Sequence, residues 1–186
     1  MVGVTDRRAR ILELVRARGY VRREEPFQLS SGAWSHDYID GKKAVGQGSD
    51  LAEVAAAIID LAKEAGADFD AVGGLTMGAD PFAHAVAVIS GKRWFSVRKE
   101  QKAHGKQQLI EGAGVAPGEQ VLLVDDVIST GASLLQALDA VEAAGASVVL
   151  ATCLVDRGDA VSKALAGRGI DFRPLLTYRD LGIDPV

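Results

Sequence analysis

Val121-Leu122-Leu123-Val124-Asp125-Asp126-Val127-Ile128-Ser129-Thr130-Gly131-Ala132-Ser133 joins a strand, two adjacent carboxylates, a turn of small hydroxyl residues and the start of a helix. Residues 120–124 are almost continuously apolar, the mark of a strand covered on both faces. Leu134, Leu135, Leu138 and Val141 then recur at helical spacing, and Gly145 ends the run. A strand that passes straight into a helix sets free N–H groups and the positive end of a helix dipole beside the strand's last residues. With the hydroxyls of Ser129, Thr130 and Ser133 added, this is an anion site. Asp125 and Asp126 can accept hydrogen bonds from a vicinal diol or help hold a divalent cation through water. A ligand with a phosphate at one end and sugar hydroxyls at the other fits the pattern. The segment is not a Walker A loop, and Gly112-Ala113-Gly114 precedes a strand, so it is no dinucleotide fingerprint.

The neighbouring segments predict an α/β fold. Residues 6–18 form a helix after Thr5, with Ile11, Leu12, Leu14 and Val15 on one face and Gly19 at the end. Short strands are expected at residues 27–29 and 38–39. A helix follows from about Ser49 to Gly66, with Leu51, Val54, Ile58 and Leu61 at helical spacing. From Ala71 the chain reads strand, Gly-rich turn (73–80), helix (81–90) and strand (93–97). Residues 148–155 are a further buried strand and 161–167 a short helix. Alternating strands and helices imply a mostly parallel sheet flanked by helices. In such sheets ligands sit at the carboxyl ends of the strands, which directs attention to residues 73–80, 125–133 and 156–158, and to the loop between Val97 and Val115.

The chain has 186 residues, 48% of them hydrophobic and 25% charged, which suits one globular domain. Its net charge of −4 argues against a protein that coats nucleic acid. No apolar stretch approaches the length of a membrane span, and the polar, basic start lacks the apolar core of a secretion signal. The single cysteine, Cys153, lies in an apolar run and cannot form an intrachain disulfide. A cytoplasmic protein is expected. The acidic average conceals residues 92–106, which carry six basic side chains against one acid. Within that stretch, Arg98-Lys99-Glu100-Gln101-Lys102-Ala103-His104-Gly105-Lys106 has no apolar periodicity to fix it on a core and contains a glycine hinge. It suits a small polyanion better than a polymer.

The thirteen-residue stretch resembles the signature of the type I phosphoribosyltransferases, which use 5-phosphoribosyl 1-diphosphate (PRPP). The resemblance implies that Asp125 and Asp126 address the ribose hydroxyls, and that Ser129, Thr130, Gly131, Ala132 and Ser133 cradle the 5′-phosphate. The basic loop, continued by Leu109-Ile110-Glu111-Gly112, resembles the catalytic loop of the orotate-specific branch. On this resemblance Arg98, Lys99, Lys102 and His104 contact the diphosphate, with Lys102, His104 and Asp126 catalytic. Loop 98–110 would reach the neighbouring active site of a homodimer. Leu29-Ser30-Ser31-Gly32 with Ser35 and Tyr38-Ile39-Asp40 resembles the branch's N-terminal hood, and residues 73–81 its diphosphate loop. Asp156-Arg157 stands where the branch places an arginine facing the orotate carboxylate, so Ser129, Arg157 and Tyr38 are the expected orotate contacts.

The implied fold is that of the type I phosphoribosyltransferases: a single domain with residues 1–45 as helix and hood and 46–186 as core. The implied reaction joins orotate and PRPP to give orotidine 5′-monophosphate and diphosphate, a step of pyrimidine (UMP) biosynthesis. Mg²⁺ would arrive with the diphosphate, with Asp125 and Asp126 as the candidates to hold it through water, since no residue cluster has zinc-site spacing. Ser30 and Met77 stand where many members carry lysine, and Ala33 where a basic residue is common. A phosphoribosyltransferase for another base therefore stays open, and a PRPP-sensing regulator that kept the fold and lost catalysis is a separate alternative, against which the intact basic loop stands. Trp94, inside a strand, reads as core, and His84 as a structural residue of its helix.

Overall fold

The computed structural model describes residues 4–29, 32–100 and 109–186. Ser30, Lys102 and His104 lie outside that set, as do the other positions of 101–108. Helix α1 (Val4–Leu14) continues through a π-helical turn, Val15–Gly19, that buries Ile11 and Val15 completely. Strands β1 (Tyr20–Gln28) and β2 (Trp34–Ile39) form an antiparallel hairpin, bulged between Arg22 and Phe27. The hairpin is much longer than the two short strands expected. Most of β1 is exposed and charged, so it carries no apolar alternation to reveal it. A single helical turn, α2 (Gly41–Ala44), follows, capped by Asp40 Oδ1 accepting the Lys43 N–H at 2.9 Å.

The rest is a helix-flanked sheet. Helix α3 spans Gly48–Glu64, β3 Ala71–Leu75, α4 Asp80–Ser90, β4 Arg93–Val97 and β5 Ile110–Gly112. They are followed by β6 (Gln120–Ile128), α5 (Ala132–Ala143), β7 (Ser147–Asp156), α6 (Ala160–Ala166), β8 (Leu176–Thr177) and α7 (Tyr178–Leu181). The strand order is β5-β4-β3-β6-β7-β8, and every pair is parallel except β4 with β5.

Period-two alternation divides the core between the two faces. Leu122, Val124, Leu150 and Leu154 pack with Ile11, Ile58 and Phe82. Val121, Leu123, Ala151 and Cys153 pack with Leu134, Leu138 and Leu165 on the other side. No helix among the described residues is long and apolar enough to cross a membrane.

Strand β6 runs beyond the apolar residues that announce it. Its pairing with β3 is recorded from Ala71↔Val121 to Gly73↔Leu123, but β7 pairs with it from Gln120↔Ser147 to Ile128↔Asp156. The two acids thus stand on a rigid strand where its β3 side has been released. Trp94 is not core. It is 39% exposed and meets His84 edge-on, with ring centroids 4.4 Å apart. Position 94 lies on the α4 side of β4, next to the three-residue edge strand β5, and His84 covers only part of its ring.

Leu123 is fully buried in the central strand. Leu123→Ala is expected to lower unfolding free energy by about 3 kcal/mol in urea titration. A loss below about 1 kcal/mol would contradict its placement.

Candidate active site

Tyr38, Asp126, Ser129 and Arg157, expected from sequence, line one cavity of about 460 Å³ with Arg23, Phe27, Asp40 and Lys42. The hairpin supplies one wall and the carboxyl ends of β6 and β7 the other. Asp125 lies beneath, 6% exposed, while Thr130, Ala132 and Ser133 are exposed at the start of α5. Gly131 takes φ +82°, and a Cβ there would meet Val161 Cγ2 at 2.6 Å, so glycine is required to turn the strand into the helix. Among the described residues no side chain closely caps α5; Thr130 Oγ1 is 3.5 Å from Ala132 N. The helix end remains available to an anion.

The acid pair is tightly surrounded. Asp125 Oδ1 accepts the Asp126 N–H at 2.9 Å, and Asp126 Oδ1 accepts the Val127 N–H at 2.7 Å. Gly78 closes over both: a Cβ on it would lie 2.7 Å from Asp125 Oδ1 and 2.9 Å from Asp126 Oδ1. Thr76 and Ser96 hold that loop's end by donating to Asp80, each at 2.7 Å. Burial, reinforced by the neighbouring Asp126 charge, pushes the Asp125 carboxyl up to about 7. Burial also pulls Lys42 down, but its 2.5 Å bond to Asp126 Oδ2 and the surrounding acids outweigh this and raise it.

Arg157 is 1% exposed, and burial lowers its pKa against the opposing charge of Asp37. Its Nη2 donates to Ser35 Oγ at 3.1 Å, whereas Nε has no partner among the described residues. Asp37, also buried, accepts from Tyr20 and Arg22, each at 2.8 Å. The hairpin therefore holds the arginine as well as covering it.

Arg98 and Lys99 stand at the end of β4, away from that cavity's lining. Arg98 Nη1 donates to Glu111 at 3.0 Å, and the Lys99 carbonyl accepts from Gln136 at 2.8 Å. Lys102 and His104 lie outside the described residues. Sequence reasoning missed Lys42, Ser35's contact with Arg157, and Asp37. The Asp40 cap preceding two lysines was the one local signal for a structured turn there. A larger cavity of about 580 Å³, between Lys63, Phe69 and Lys92, lies among the far ends of α3 and α4 and lacks comparable convergent groups.

Residues 46–167 match the phosphoribosyl transferase domain family. The chain is 41% identical over 182 residues to the orotate phosphoribosyltransferase of Mycobacterium tuberculosis H37Rv, covering 95% of this chain and 97% of that one. The chain belongs to the orotate phosphoribosyltransferase family. A second member, from Corynebacterium glutamicum, is 40% identical over 183 residues and 96% of each chain. The crystal structure of the M. tuberculosis member in complex with PRPP matches with a TM-score of 0.78 at 35% identity, over 95% of this chain and 99% of that one. The α/β fold of the family is thus present, with its mostly parallel six-stranded sheet and small N-terminal hairpin.

The raised carboxyl has a pH signature. An unfolded aspartic acid releases its proton near 3.9, whereas Asp125 holds its proton to about 7. Asp125 therefore makes its largest contribution below about pH 4 and costs stability progressively as pH rises to 7. Relative to the native chain, Asp125→Asn is expected to gain on the order of 1 kcal/mol per pH unit across that window. Denaturation midpoints from pH 4.5 to 8 check this, and a constant difference would contradict it.

Proposed function

We propose that this chain transfers the 5-phosphoribosyl group from PRPP to orotate, giving orotidine 5′-monophosphate and diphosphate in UMP synthesis. The observation that carries the reading is the buried Arg157, whose Nε has no partner among the described residues, in the cavity that also holds Asp126 and Ser129. A buried guanidinium with spare donors suits a carboxylate, which it can bind with fixed geometry. The whole chain is read as one domain, residues 1–45 as helix and hood and 46–186 as core.

In this reading the ribose hydroxyls donate to Asp125 and Asp126. The 5′-phosphate sits on the free N–H groups of α5, aided by Ser129, Thr130 and Ser133 around Gly131 and Ala132. Arg157 orients the orotate carboxylate, with Tyr38 and Ser129 beside the base. Breaking the C1–O bond sends positive charge to the sugar and negative charge to the diphosphate. Asp126 favours the first, and Arg98, Lys99, Lys102 and His104 are assigned to the second. No covalent intermediate is needed, because deprotonated orotate N1 is itself a nucleophile; positioning and charge supply the acceleration.

The residues fit Mg²⁺ in a limited way. Two carboxylates meet beside a glycine whose missing Cβ leaves space, but no cluster of three or more metal-ligating side chains occurs among the described residues. Asp125 and Asp126 would hold the ion through water, and it would offset diphosphate charge.

A homodimer completes this reading, with loop 98–110 supplying cations to the neighbouring site. Supporting it is an exposed apolar face on α3 and α4, comprising Leu51, Ala85, Val88 (84% exposed) and Ile89, with Trp94 near by. Purified protein is expected to sediment at about twice its 19.5 kDa chain mass, with Val88→Glu shifting it to monomer. A monomeric native protein would overturn the dimer.

Native protein with Mg²⁺ is expected to consume orotate and PRPP. Arg157→Ala should raise the orotate KM by at least tenfold, whereas Lys102→Ala should reduce kcat far more than PRPP affinity. Turnover with adenine or hypoxanthine but none with orotate would refute the base assignment.

A further inference from the structure

The two oxygens of Asp126 have different neighbours. Oδ1 accepts the Val127 N–H and faces Gly78, whereas Oδ2 carries the Lys42 ammonium at 2.5 Å. Lys42 and Asp126 both line the cavity that contains Arg157. The lysine is 46% exposed in its side chain, so an ion pair of this kind does little to hold the fold. Its position on the one-turn helix α2 is fixed instead by the Asp40 cap and by tight packing: a Cβ on Gly41 would approach Asp126 Cβ at 3.1 Å.

A sugar hydroxyl that bonds Asp126 must share or take the oxygen Lys42 occupies. The hydroxyl is neutral, so an ammonium displaced by it needs another anion. The other acid lining the cavity, Asp40, already accepts the Lys43 N–H. An anionic base entering beside Arg157 would supply the missing charge.

We propose that Lys42 is an exchangeable counter-ion and a specificity residue: it neutralises Asp126 in the empty site and turns to the anionic base when the ribose hydroxyls engage Asp126. This rests on the reading of the site given above. It links the two substrates, since binding of the sugar releases the cation that favours a charged base.

Steady-state kinetics of native, Lys42→Met and Lys42→Arg proteins test the assignment, with PRPP affinity measured separately by calorimetry without base. Lys42→Met is expected to raise the orotate KM about tenfold or more while changing PRPP affinity less than threefold. Lys42→Arg should recover most of the loss. An unchanged orotate KM, or a loss confined to PRPP affinity, would mean that Lys42 only tethers Asp126 and would overturn the proposal. Native protein that fails to turn over orotate would overturn the functional reading and this inference with it; native turnover with an indifferent Lys42→Met overturns the inference alone.

Discussion

Strand β6 must be apolar on both faces for most of its length and yet end in two carboxylates. It lies between β3 and β7, with Leu122 and Val124 directed into one half of the core and Val121 and Leu123 into the other. Such a strand can neither slide nor rotate without exposing apolar surface or breaking its ladder. Its partners end at different points, so Asp125 is still paired to β7, and Asp126 still lies within that ladder, beyond the last pair with β3. This arrangement fixes where the acids emerge, where α5 begins and where Gly78 must approach.

Electrostatics are organised around that strand end. Asp125 is buried enough to resist ionisation, whereas Asp126 is reached by Lys42. Across the cavity Arg157 is almost wholly buried and leans on Ser35, with the negative Asp37 near enough to ease the cost of its burial. Asp125 has a shifted proton affinity, and Arg157 has an incomplete set of partners among the described residues. That imbalance is typical of sites whose remaining partners come with a ligand.

The central elements were legible in the sequence because their apolar patterns are continuous. β4 begins and ends where predicted, α5 starts one residue early, and β6 extends past the apolar residues that announce it. The hairpin was underestimated because Arg22, Arg23, Glu24 and Glu25 in β1 are exposed and show no alternation. Trp94 was misread for the opposite reason. Its apolar character suggested core, but it stands one strand from the edge of the sheet, where His84 of α4 covers only part of its ring. The short β8 and α7 carry too few residues for periodicity to identify them.

The sequence alone determined the acid pair, the hydroxyl turn, the helix that follows and the nearby cationic loop, because these are contiguous and each has a local physical signature. Arg157 could be singled out for its position after a core strand, but only the tertiary structure decided that it is buried and leaves Nε without a described partner. Likewise only the fold brings Lys42 to Asp126, 84 residues away in the chain. Local patterns follow from spacing along the backbone. Counter-charges across a cavity depend on which loops the sheet brings together, and no local pattern encodes that distance.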